Sequence, residues 1–148
     1  MRTGAVVALV LAFALTLSRL SAQTANTQIK KVPIQYTDPT SGKGMFMEYC
    51  AVCHGADGKG NGPAVPALRT PPPDLTLLSK SHGGKFPTMD VIGMIRGDTA
   101  MPPAHGSKDM PMWGPLFSSL GHGGANGKAV VLMRMKNITD YIESLQAK

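Results

Sequence analysis

The chain has only two cysteines in 148 residues, and both lie between positions 50 and 53. They could form one bridge. A ring closed three residues apart removes little chain entropy, so it would be a poor structural staple. Aromatic residues are also few, one Trp, three Tyr and four Phe, and long strand-like alternations are missing. A chain this small buries a modest share of its apolar surface, so something else is expected to help fill its interior. Dense basic stripes are missing too. Lys and Arg are scattered singly apart from Lys30-Lys31, so the formal +6 charge reads as a mildly basic surface. A nucleic-acid footprint would be denser, so the charge reads either as steering toward an acidic partner or as plain solubility. No acid–base pair or nucleophile constellation stands out, which argues against catalysis by the side chains themselves.

A membrane-length apolar run is also lacking. Gly4 to Leu17 is uncharged but shorter than the about 20 residues that span a bilayer, and Arg19 arrives too early. With Met1-Arg2 before it and "LSA" ending at Ala22, the start has the layout of a secretory signal peptide. The expected division is a signal peptide over 1–22, an N-terminal extension over 23–39 and one domain over 40–148. No cysteine sits near the cleavage site, so lipid attachment is not expected, and no stable membrane span remains after cleavage. The mature protein is expected to work outside the cytoplasm.

Three helices can be drawn. The first starts behind Ser41 as N-cap and runs through "GKGMFMEYCAVC". The second is "TMDVIGMIRG", with Thr88 as cap, Val91, Ile92 and Ile95 as the apolar face, and Gly97 as stop. In the third, Val131, Met135, Ile138, Ile142 and Leu145 recur at helical spacing. Between them lie "GADGKGNGPAVPALRTPPPDL" and "RGDTAMPPAHGSKDMPMWGP". Structureless loops of that length are unusual in a compact domain without a function. A large buried cofactor would give them a surface to wrap.

The stretch "CAVCHG" carries the chemistry. C-x-x-C-H is the attachment signature of c-type haem. Cys50 and Cys53, three residues apart on a helix, share one face and can reach two vinyl groups on one porphyrin edge. His54 then lies beneath the iron as proximal ligand. Zinc needs four ligands, and His82, His105 and His122 lack the paired spacing of a Cys2His2 site. A thioredoxin-like dithiol would need a βαβ surround, and a plain disulfide leaves His54 unexplained.

With "CAVCH" in place, the chain resembles the monohaem class I cytochromes c, over about residues 38 to 146. Gly42 and Phe46 stand eight and four residues before Cys50, where that family's first helix carries Gly and an aromatic. Ile138 and Tyr141 match the apolar–x–x–aromatic pattern of its last helix, which crosses the first closely at the glycine. The stretches "TSGKGMFMEYCAVCHGADGKGNGP", "PPPDLT" and "HGSKDMPMWGPLF" look like a soluble periplasmic subgroup. The resemblance implies an all-α class I cytochrome c fold, with three to five helices wrapped around one covalently bound haem c.

The second axial ligand decides between electron transfer and ligand binding. Candidates are Met89, Met94, Met101, Met110, Met112, His82, His105 and His122. Met110 is favoured because Pro111 stiffens its backbone and because "DMPMWGP" matches the family's Met-Pro ligand motif. Met101, in "AMPP", is the runner-up, and His105 would make a bis-histidine site. Met89, Met94, Met133 and Met135 also read as core filler. By resemblance, a proline carbonyl after the haem motif accepts the second N–H of His54, with Pro63 or Pro66 available. Trp113 would pack on the porphyrin, bond a propionate or simply fill the core, and Arg69 would neutralise a propionate or stay solvated.

The leading functional expectation is a periplasmic carrier of single electrons. Its donor would be a quinol-oxidising complex or a dehydrogenase, and its acceptor a terminal oxidase or reductase. The alternatives are an electron-transfer subunit of a larger redox enzyme, and a haem enzyme or gas sensor with an open sixth site.

Overall fold

The computed structural model describes residues 34–98, 110–120 and 127–147. The expected signal peptide, most of the expected extension, Met101, His105 and His122 lie outside the described residues. Within them the chain is helical, with no strand, and no helix is long and apolar enough to cross a membrane.

Helix α1 is a continuous rod in three pieces: an α-helical start, Gly42–Met45, a π turn, Phe46–Cys50, and an α-helical end, Ala51–His54. It begins where expected, because the Ser41 hydroxyl accepts from the Gly44 N–H at 3.0 Å. Single turns of 3-10 helix follow at Val65–Ala67 and Leu75–Leu77, the second capped by Asp74, which accepts from the Thr76 N–H at 2.8 Å. Helix α2 is Leu78–Ser81, α3 is Thr88–Arg96, α4 is Trp113–Leu120 and α5 is Gly127–Ser144.

Two boundaries of the expected second helix had different fates. Gly97 does end α3, in the left-handed conformation at φ 89° that a glycine adopts without penalty. Thr88 is not the cap: it is the first helical residue, and Pro87 stands before it, with its carbonyl accepting from the Val91 N–H at 3.0 Å. Proline fits there because its missing N–H would have had no partner inside the helix. Helix α4 is not among the helices drawn from the sequence, and its first turn lies at the end of the stretch read as loop. Pro115 obscures it, yet falls in the first turn, where a backbone N–H is not needed.

The core forms where α1 and α5 cross. Met45, Phe46, Phe117, Met135 and Ile138 are at most 1 % exposed. A Cβ on Gly42 would lie 2.0 Å from the Asn137 carbonyl oxygen, so only glycine lets the two backbones approach this closely. Just beyond, the rings of Phe46 and Tyr141 meet with centroids 5.2 Å apart. Helices α3 and α4 also pack against α5. The α5 stripe behaves as its periodicity predicts, with Met135, Ile138 and Ile142 buried and Val131 and Leu145 half-buried against the core.

Candidate haem site

The end of α1 carries Cys50, Cys53 and His54, and the chain beyond fixes that end rigidly. A helix leaves its last four carbonyls without intrahelical partners. Here all four are satisfied. Gly55 N–H donates to the Ala51 carbonyl (2.9 Å), Ala64 to Val52 (2.9 Å), Gly62 to Cys53 (3.1 Å) and Gly60 to His54 (2.8 Å). The glycines of "GADGKGNGP" make this return loop possible. Gly55 and Gly60 sit at φ 78° and 76°, and a Cβ on Gly62 would come 2.4 Å from the Val52 carbonyl oxygen. The loop read as structureless is therefore a cap that holds the attachment motif.

A π turn precedes that cap. The Ala51 N–H bonds to the Phe46 carbonyl, skipping a residue of the usual helical register. Such turns are rare and frequently sit at functional sites. Here one contains the core residues Phe46 and Tyr49 and ends on the first cysteine, Cys50.

Both thiols are free of any disulfide and partly buried. Burial pushes the Cys50 thiol up to about 12, with neighbouring Cys53 adding to it, and burial also raises Cys53. They are neutral thiols, the reverse of the lowered, activated thiolate of a redox dithiol. His54 is held below its ordinary value by burial, against which the Pro73 backbone acts in the raising direction. Its Nδ1 is nonetheless buried with no partner in hydrogen-bonding geometry. Buried polar atoms are nearly always partnered, so an orphan here points to a missing contact.

Two neutral thiols one helical turn apart and an adjacent neutral imidazole, on a rigid capped end, fit covalent haem c. Cys50 and Cys53 would hold it and His54 would ligate its iron. Among the described residues no three His, Cys, Asp or Glu side chains gather where they could hold a metal ion.

The other expected residues fall as follows. Pro63 and Pro66 are exposed, and the proline whose backbone acts on the imidazole is Pro73. Met110 lies just ahead of α4, half-buried against the core. Met112 is exposed and covers Gly97, where a Cβ would lie 2.5 Å from its Cγ. Met89 is 74 % exposed, which removes it from any buried role, whereas Met94 is half-buried. His82 Nδ1 is engaged with the Leu78 carbonyl at 2.8 Å. Trp113 is buried in an aromatic cluster, its centroid 5.2 Å from Tyr49 and 5.5 Å from Phe117, so its observed contacts are those of core. Arg69 is exposed.

Three polar residues were not singled out from the sequence. Asn137 donates to the Pro39 carbonyl at 2.8 Å, and Gln146 donates to Leu75 O and accepts from Ser79 N, both at 2.8 Å. Arg134 is completely buried. Each serves backbone groups far away in sequence, so no local pattern marks it.

Comparison with curated proteins and with solved structures finds no match. The family model for cytochrome c matches residues 39–146, nearly all of the described chain, and the protein belongs to the cytochrome c family, whose members carry covalently attached haem c and pass electrons between partner proteins.

Proposed function

We propose that the protein is a periplasmic carrier of single electrons, with one haem c joined to Cys50 and Cys53, ligated by His54 below and by Met110 above. The observation that carries the reading is the capped helix end itself: two unpaired neutral thiols beside an imidazole whose buried Nδ1 has no partner. When bound, the haem iron supplies a one-electron ferric–ferrous couple. The chain's part is to hold and to insulate. The four capped carbonyls keep Cys53 and His54 from shifting between oxidation states. In this reading the Pro73 backbone, which acts on the imidazole in the raising direction, would take up the unpartnered Nδ1 N–H, since a ligating histidine usually gives its other N–H to such an acceptor. A Met110 thioether, soft and uncharged, favours ferrous iron and a positive potential. With His54 and Met110 both holding the iron, the haem would offer no open position to a substrate, the arrangement of a carrier rather than a catalyst.

The periplasmic location rests on the leader over 1–22, and N-terminal sequencing of the exported protein should begin at Gln23. A quinol-oxidising complex or dehydrogenase would be the donor, and a terminal oxidase or reductase the acceptor. Gel filtration of the native protein separates a free shuttle from a bound subunit. The ligand is tested by intact mass and by ferric and ferrous spectra of wild type, Met110→Ala and Met101→Ala. The expected result is one added haem in all three, and loss of the far-red ferric methionine band in Met110→Ala alone. Loss in Met101→Ala alone would move the ligand to that residue. A high-spin ferric wild type that binds cyanide rapidly would refute the carrier.

A further inference from the structure

Arg134 lies on the inner side of α5 and is 0 % exposed. Its Nη1 donates to the Thr37 hydroxyl at 3.2 Å and to the Met45 sulfur at 3.4 Å, and its Nη2 donates to the Thr37 carbonyl at 2.9 Å. The guanidinium carbon is 5.0 Å from the ring centre of Tyr36 and 5.8 Å from that of Phe117. Nε is buried without a partner. Among the described residues no carboxylate forms an ion pair with it. The carboxylate that feels it is exposed Asp38, which is lowered first by the Thr40 backbone N–H and least of all by Arg134.

The guanidinium places a positive charge inside the domain. Its acceptors among the described residues, the Thr37 hydroxyl and carbonyl and the Met45 sulfur, are all neutral. The Thr37 dipoles and the aromatic faces solvate the charge without cancelling it. Burying a charge without a paired counter-charge is costly, so packing alone does not account for an arginine here.

The charge shares its core with the haem-bearing helix. Arg134 lies over Phe117, the Phe117 ring is 5.5 Å from Tyr49, and Tyr49 directly precedes Cys50. In a medium of low polarity a positive charge opposes any gain of positive charge nearby. Ferric haem carries one more positive charge than ferrous haem. We propose that Arg134 raises the reduction potential of the haem held at Cys50, Cys53 and His54, through a buried guanidinium with which no carboxylate pairs among the described residues. This rests on the haem reading above.

The test uses the isolated full protein and two pairs of variants. Arg134→Gln removes the charge and keeps a donor, and Arg134→Lys keeps the charge. Thr37→Asp places a carboxylate next to the guanidinium while leaving Arg134 untouched, and Thr37→Asn is its neutral counterpart. Intact mass reports haem attachment, and a spectroelectrochemical titration reports the midpoint potential. The expected result is a negative shift in Arg134→Gln and Thr37→Asp, with Arg134→Lys and Thr37→Asn near wild type. If the Arg134 variants do not fold, the Thr37 pair decides alone. Equal potentials in Thr37→Asp and Thr37→Asn overturn the proposal, as do equal shifts in Arg134→Gln and Arg134→Lys. A wild-type mass without haem overturns the site reading as well, and this is seen before any potential is measured.

Discussion

Replacing Gly42 by alanine tests the helix crossing on which the site is built. The new Cβ would stand 2.0 Å from the Asn137 carbonyl oxygen, 2.7 Å from its carbon and 3.3 Å from Tyr141 Cβ. The first two are backbone atoms of α5, so no side chain can swing aside. Relief to even 3.0 Å requires α1 and α5 to part by about 1 Å at that point. A gap of that size forfeits roughly a quarter to a half of each dispersion contact. The contacts at risk are among Met45, Phe46, Ile138 and Tyr141. Overpacking of this kind costs about 1–3 kcal/mol. Alanine's advantage over glycine in a helix is at most about 1 kcal/mol, and it shrinks at the first helical position. A net loss of about 1–3 kcal/mol should lower the melting temperature by roughly 5–20 °C in a domain of this size. Thermal unfolding followed by far-UV circular dichroism measures it on the isolated protein. The matched control is Gly127→Ala, at the start of α5, where a Cβ would meet nothing within 4 Å. That variant should melt at or slightly above wild type. If both variants melt alike, the close approach at Gly42 is not what joins these helices.

Gly62→Ala should displace the return loop, because its Cβ falls 2.4 Å from Val52 O and 2.6 Å from Ala51 O. It should cost about 1–3 kcal/mol and lower the fraction of chain carrying covalent haem, read by thermal melt and intact mass. Tyr49→Phe removes the hydroxyl that donates to the Gln35 carbonyl and pairs with the Thr37 hydroxyl, both at 2.7 Å. A fall of about 1–2 kcal/mol with unchanged slope in urea unfolding is expected. Asp38 is held below 3.8 chiefly by the Thr40 backbone N–H, and then by the Thr40 hydroxyl. A carboxyl with a depressed folded value contributes stability that is full above pH 3.8 and is lost as pH falls through the folded value. Asp38→Asn should therefore flatten the acid limb of stability against pH below 3.8 and leave its slope above that unchanged.

The parts legible in sequence were those encoded by neighbours along the chain. "CAVCH" places two thiols and an imidazole within one helical turn, whatever surrounds them. Ser41 caps α1 through a bond to a residue three positions on, Gly97 ends α3 through its own φ, and the α5 stripe follows helical period alone. The rest required distant residues to meet. Pro73 rather than Pro63 acts on His54 because the return loop spends its N–H groups on the helix end and carries Pro63 into solvent. Trp113 and Tyr49 lie far apart along the chain and stack only once α4 and α1 have packed. Arg134 looks like an ordinary surface cation until Thr37, nearly a hundred positions earlier, folds over it. Short-range bonding follows from residue order, so the attachment chemistry could be read directly. Burial and long-range partners follow from which surfaces close on one another, so the environment that tunes that chemistry was decided only by the tertiary structure.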